Sequence, residues 1–308
     1  MDGPGSGLQL EVGQFSHPGR KRTNNEDWLG AFRPDDARRL ATKGSLFLVA
    51  DGMGGHRDGE LASRRAVDMV IRTYFEDPDP DVAASLERAI QTANAALYAG
   101  TADGPQRGRG GTTLVAAIIR ERGGTGLWIA NVGDSRAYLL RGRELRQLSR
   151  DHSWAAAVGG GSPGGGDGPG RHVVTRALGQ RSKVKVDLFA HRLRPGDRLL
   201  LCTDGLTGPL PDAEIRAIIQ HRPPQEAARR LVQAANERGG PDNVSVIVVR
   251  LASQPASWPQ AWQMLLDRLW PGGAEQDSGP PLAVVIAMVL LVALVLLGLG
   301  FLLGQVLF

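Results

Sequence analysis

Four aspartates constrain this chain more than any other feature: Asp51, Asp134, Asp204 and Asp242 each stand where a hydrophobic run stops or starts. Asp51 follows SLFLVA and Asp204 follows RLLLCT, two apolar runs of strand length that end in an Asp-Gly turn signal. Both carboxylates are therefore expected to project from strand ends. Asp134 sits in the turn between GLWIANV and RAYLL, and Asp242 lies just before VSVIVVRL, so antiparallel neighbours are expected to bring all four to one edge. Carboxylates gathered there repel one another, and a divalent cation removes the repulsion. Hard oxygen donors suit Mg2+ or Mn2+, whereas Zn2+ calls for His and Cys clusters. The single Cys202 and the scattered histidines supply none. One Asp-Gly pair alone is an ordinary turn; four acids in strand-edge context, with NNED upstream at 24–27, are more than that.

Seven strings then occur in order: RTNNED at 22–27, DGMGGH at 51–56, GTT at 111–113, GDSRAYLL at 133–140, TRALG at 175–179, GDRLLLCTDGL at 196–206 and GGPDNVSVIVV at 239–249. Together, over about residues 8–251, they resemble the metal-dependent Ser/Thr protein phosphatases of type 2C in their bacterial form. The resemblance implies hydrolysis of phosphoserine and phosphothreonine in proteins by a water activated between two Mn2+ or Mg2+ ions. It implies Asp51 as the bridging carboxylate, with the Gly52 carbonyl on one metal and Asp204 and Asp242 on the other. Asp134 matches a ligand for a third ion shared with Asp204. Glu26 and Asp27 match residues that hold metal-bound waters, where they orient rather than ligate. Arg22 matches the substrate phosphate clamp, a planar fork for two phosphoryl oxygens that stays charged.

The elements agree with such a fold. Residues 58–75 and 81–99 read as adjacent amphipathic helices, with further helices at 212–220 and 224–238. Strands are expected at 112–119, 126–132, 135–140, 183–191, 198–203 and 243–251. Runs of strands separated by paired helices favour an α+β architecture of two packed sheets flanked by helices over a doubly wound parallel sheet. The resemblance implies the same α-β-β-α four-layer sandwich with antiparallel sheets.

The 308 residues leave room for an appendage beyond one large domain. From Leu282 to Leu303 there is no charged residue, and a helix of that length spans roughly the 30 Å hydrocarbon layer. A single transmembrane helix is expected there. The preceding linker carries Trp258, Trp262, Leu265, Leu266, Leu269 and Trp270 at helical spacing, which suits a short amphipathic helix at a membrane surface. The N-terminus has neither a basic start nor an apolar core, so it does not read as a secretory signal. The expected organisation is a flexible terminus (1–7), a catalytic domain (8–251), a juxtamembrane linker (252–281), a membrane helix (282–303) and a short tail (304–308), with the catalytic domain cytoplasmic.

The lone cysteine fits a reducing compartment. A net charge of +4 with dispersed arginines and no aromatic-interleaved basic stripe argues against nucleic acid as a partner; phosphorylated proteins, Ser/Thr kinases and their substrates, and the lipid membrane are the partners expected. Two departures from the family's pattern stand out. Met53 occupies the position after Asp-Gly where many eukaryotic members have a His proposed as general acid, and Met cannot donate a proton; His56 is a nearby substitute. The segment 154–172, WAAAVGGGSPGGGDGPGRH, replaces a flap rich in polar residues with glycine and is too poor in apolar surface to order itself. The alternative function is therefore a catalytically weak, membrane-anchored scaffold that binds phosphoproteins.

Overall fold

The structure, a computed structural model, describes residues 8–54, 57–100, 110–121, 125–154 and 173–253. The chain divides into two compact units, Met1–Gln254 and Pro255–Phe308. All the described residues belong to the first. The linker tryptophans, the Leu282–Leu303 run, His56 and most of the glycine-rich segment lie outside the described residues. Among those described, no helix is long and apolar enough to cross a membrane.

Two antiparallel sheets form the centre. One is five-stranded, with β1 (Leu8–His17), β11 (Val244–Ser253), β10 (Arg198–Cys202), β7 (Arg136–Arg141) and β8 (Glu144–Gln147) in that spatial order. The other is six-stranded, with β2 (Asp27–Phe32), β3 (Ser45–Met53), β5 (Leu114–Arg120), β6 (Gly126–Val132) and β9 (Asp187–Arg192) in line and β4 (Gly111–Thr112) paired to the end of β3. Helices α2 (Arg57–Glu76) and α3 (Val82–Gly100) follow β3, while α5 (Asp212–His221) and α6 (Pro224–Glu237) precede β11. Shorter helices are α1 (Ala37–Lys43) and α4 (Asp204–Thr207).

The layering follows from a strict period of two, since successive strand side chains point to opposite faces. In β3 and β5, Phe47, Val49, Val115 and Ala117 enter a central core shared with Leu199, Leu201, Ile247 and Val249 of the other sheet. Their sequence neighbours Leu46, Leu48, Leu114 and Ala116 turn outward onto Ala66, Val70, Leu86 and Ile90 of α2 and α3. On the far side Leu200, Cys202, Val246 and Val248 pack against Ile215, Ile219, Leu231 and Ala235 of α5 and α6. Strands buried on both faces read as unbroken apolar runs, which is why SLFLVA and RLLLC show so clearly in the sequence. Each fully buried aliphatic side chain contributes about 1.5–3 kcal/mol, so three such clusters hold the helix–sheet–sheet–helix stack together.

Two expected strands differ in detail. The strand expected at 112–119 breaks at Thr113, whose N–H and hydroxyl are both turned to the Asp51 backbone. The strand expected from 183 starts only at Asp187. Ahead of it, the carbonyls of Arg181 and Val184 accept from Asn94 and Gln91 of α3 instead of from a neighbouring strand.

Candidate active site

The strand ends gather the acids. Asp27 opens β2 and pairs directly with Asp51 on β3. Asp134 lies in the β6–β7 turn, two residues before Arg136, which pairs with Cys202 on β10. Asp204 follows Cys202 by two residues as the first residue of α4, and Asp242 lies two residues before Val244, the first residue of β11. Because Cys202 also pairs with Val246 and the Thr203 hydroxyl next to it reaches Asp27 of the other sheet, the acids belonging to both sheets lie at one edge. Asp51 thus sits within β3 and Asp204 in a helical turn, rather than both hanging from strand tips as expected.

Glycines make the approach possible. A Cβ on Gly205 would lie 1.9 Å from the Asn243 carbonyl oxygen, so only glycine lets α4 touch the start of β11. A Cβ on Gly52 would lie 2.2 Å from the Gly59 carbonyl and 2.6 Å from that of Glu26, whose oxygen accepts the Gly52 N–H at 3.1 Å. The Asp-Gly pairs therefore serve close backbone packing at the site and not merely turns.

The electrostatics of the edge are strained. Burial pushes the Asp51 carboxyl well above its usual range, and the charges of Asp27, Asp204, Asp134 and Asp242 push it further. Asp27 is raised mainly by burial; hydrogen bonds from Ser245 and Thr203 oppose this, and Asp204 and Asp242 add to it. Asp134 is pushed up to about 7, first by burial and then by Asp204. One Asp27 oxygen accepts from the Thr203 hydroxyl at 3.0 Å, while its Oδ1 is buried with no hydrogen-bond partner among the described residues. An orphaned buried carboxylate oxygen is costly, and together with the raised pKa values of Asp27, Asp51 and Asp134 it fits a hard divalent cation with its bound water at this edge. The side chains interact through charge without closing on one point: among the described residues, no three His, Cys, Asp or Glu form a ready metal cage.

Arg22 stands at the rim. Its Nη2 donates to Asp242 Oδ2 at 2.8 Å in an exposed pair, and Glu26 and Asp51 also favour its charge. The other Asp242 oxygen accepts from the Asn243 N–H at 2.9 Å. Glu26 packs beside Gly59, where a Cβ would meet its Oε2 at 2.0 Å. Met53 ends β3 opposite Gly111.

Several supporting residues escape a reading of the sequence. Asn243 accepts the Glu26 N–H at 2.8 Å and donates to the carbonyls of Pro18 and Asn24 at 2.9 and 2.8 Å, so one side chain fixes the loop that carries Arg22, Glu26 and Asp27. The Asp51 carbonyl accepts from the Thr113 N–H and the Thr112 hydroxyl, while the Thr113 oxygen accepts the Asp51 N–H and lies 2.7 Å from Ser135 Oγ. Thr203 bridges Asp27 to the Ser245 N–H. The strings GTT, CTDG and PDNVSV contain these residues, but their partners lie dozens to hundreds of positions away.

A family model described as protein phosphatase 2C matches residues 29–243. The chain belongs to that family. By that membership it is a protein serine/threonine phosphatase. It is 38% identical over 240 residues to the serine/threonine phosphatase stp of Listeria innocua, covering 75% of this chain and 92% of that protein. It is 36% identical over 245 residues to the serine/threonine protein phosphatase PstP of Mycobacterium tuberculosis, covering 78% of this chain and 45% of PstP. A crystal structure of the PstP catalytic domain in complex with two manganese ions superposes with a TM-score of 0.67 at 35% identity, covering 80% of this chain and 99% of that one. The family places this phosphatase among metal-dependent enzymes, and the two antiparallel sheets with their helices are the family's fold.

Proposed function

We propose that the phosphatase hydrolyses phosphoserine and phosphothreonine in proteins at the cytosolic face of a membrane, using two Mn2+ or Mg2+ ions, and so reverses Ser/Thr kinase signalling. The observation that carries the site assignment is the convergence of Asp27, Asp51, Asp134, Asp204 and Asp242 around an orphaned carboxylate oxygen, with burial and the neighbouring acids raising the pKa values of Asp27, Asp51 and Asp134. In this reading Asp51, the Gly52 carbonyl, Asp204 and Asp242 hold the two ions, and Asp134 with Asp204 holds a third. Bound divalent ions would supply charge neutralisation for the phosphoryl group and a water acidic enough to attack near neutral pH. The manganese in the PstP catalytic domain supports that assignment.

The chain's own residues do the rest. Arg22 binds the substrate phosphate: its exposed pair with Asp242 is worth about 0–1 kcal/mol, so the guanidinium is readily exchanged onto phosphoryl oxygens. Asn243 holds the Arg22 loop in place, which sets the distance from clamp to acids. Met53 has no proton to give, so the leaving alkoxide takes its proton from water. Membrane attachment rests on the uncharged run Leu282–Leu303 and the Trp-rich segment before it.

Steady-state hydrolysis of a phosphothreonine peptide by the full chain in detergent with Mn2+ tests the reading. Turnover is expected in the wild type, and Arg22→Ala should raise KM by about tenfold, the loss expected for one charge-assisted contact. No turnover by folded, Mn2+-supplied protein would overturn it, and an unchanged KM and kcat in the variant would remove the clamp role.

A further inference from the structure

The cationic corner of the sandwich lies at the opposite end of the strands from the acids. A cavity of about 420 Å3 there is lined by Leu139, Arg141, Arg146, His191, Arg192 and Arg194, among others, and among the described residues no acidic side chain lines it. It sits where β8, the edge strand of one sheet, meets β9, the edge strand of the other. Register shows how it arises. Arg146 pairs with Leu139 and His191 pairs with Leu127, and both leucines belong to the core between the sheets. Arg146 and His191 therefore occupy inward-facing positions that carry aliphatic side chains elsewhere in the same layer.

These cations are unevenly partnered. Arg141 makes paired bonds to Asp197 at 3.0 and 2.7 Å and donates to the Arg192 carbonyl at 2.8 Å, tying one sheet to the other. Among the described residues, the guanidinium groups of Arg146, Arg192 and Arg194 have no carboxylate partner, although the Arg194 backbone N–H donates to Asp197 at 2.7 Å. The His191 Nε2 is shielded from solvent and has no hydrogen-bond partner among the described residues; burial, helped by Arg146 and Arg141, holds its pKa below the usual value. Guanidiniums repel one another when gathered at one mouth, and a multiply charged anion relieves that cost. Arginine's fork matches phosphate oxygens two at a time, and the volume falls in the range of small-molecule sites.

We propose that this cavity binds a small phosphate-bearing polyanion: inorganic phosphate, pyrophosphate or the diphosphate of a nucleotide. The site is separate from the catalytic edge, since β7 at about 3.3 Å per residue puts Arg141 some 16 Å beyond Arg136. It stands on the cavity's own geometry and does not depend on the phosphatase assignment. Inward-pointing charges on edge strands also serve to block sheet-to-sheet pairing, and binding separates the two roles.

Titration calorimetry of the full chain, stripped of metal and in detergent, with phosphate, pyrophosphate and ADP in turn, is the test. Pyrophosphate should bind more tightly than phosphate. Arg146→Glu and Arg194→Glu should each weaken it by about tenfold or more with unchanged unfolding temperature and unchanged peptide dephosphorylation, and Arg22→Ala should leave it unaltered. Tighter binding of ADP than of pyrophosphate would assign the site to a nucleotide; equal or weaker binding would assign it to the free anion. Absence of binding at millimolar anion, or binding indifferent to both Arg→Glu changes, would overturn the proposal and leave edge protection as the arginines' role.

Discussion

Asn243 shows how much of the site depends on a single uncharged side chain. It satisfies three backbone groups from the segment that carries Arg22, Glu26 and Asp27, so Asn243→Ala strands those groups at the catalytic edge. Each buried polar group left unpaired costs about 1–3 kcal/mol, and for a domain of this size the unfolding temperature falls by about 2–4 °C per kcal/mol. Calorimetry should show that loss together with a fall in peptide dephosphorylation; an unchanged unfolding temperature would mean the loop is held elsewhere. The acids themselves were legible in the sequence because each follows or precedes an apolar run and most stand in an Asp-Gly or Gly-Asp pair. Asn243, Thr113 and Thr203 were not: their significance lies in partners up to 225 residues distant, and no local pattern encodes that.

At the scale of elements, the converging strand ends store electrostatic cost. A carboxyl whose pKa is raised on folding binds its proton more tightly in the native state, so its stabilising contribution is complete below the usual carboxylate range and is lost as pH rises through the folded value. For Asp134 that value is about 7, and Asp27 and Asp51 are raised as well. The metal-free chain should therefore lose stability between about pH 4 and 7. Asp134→Asn should flatten that slope, and Mn2+ should offset it at pH 7.5; a slope identical in wild type and variant would refute the assignment. The long helices were legible from their periodicity and the doubly buried strands from their unbroken apolar runs. The seven-residue α1 and four-residue β8 were not, since β8 is a polar edge strand, ELRQ, with little hydrophobic signal. The late start of β9 followed from α3 side chains capturing the carbonyls of 181 and 184, a tertiary contact that strand propensity cannot foresee.

For the whole molecule, the sandwich was legible because both sheets are buried on both faces and interrupted by paired helices. The seven strings placed the family before any coordinate did. Deleting residues 282–308 should move the protein from the membrane to the soluble fraction while leaving dephosphorylation intact; a truncated chain still pelleting with membranes would point to another anchor. We propose that the acids gathered from both sheets hold the ions that the chemistry needs. The decisive experiment is Mn2+ titration of the full chain in detergent beside phosphothreonine-peptide hydrolysis, for wild type and Asp204→Asn. Wild type should bind at least two Mn2+, and the variant should show fewer or weaker sites with near-complete loss of turnover while unfolding at the same temperature or higher. Full turnover by Asp204→Asn, or Mn2+ binding unchanged by it, would mean that the acids do not hold the catalytic ions.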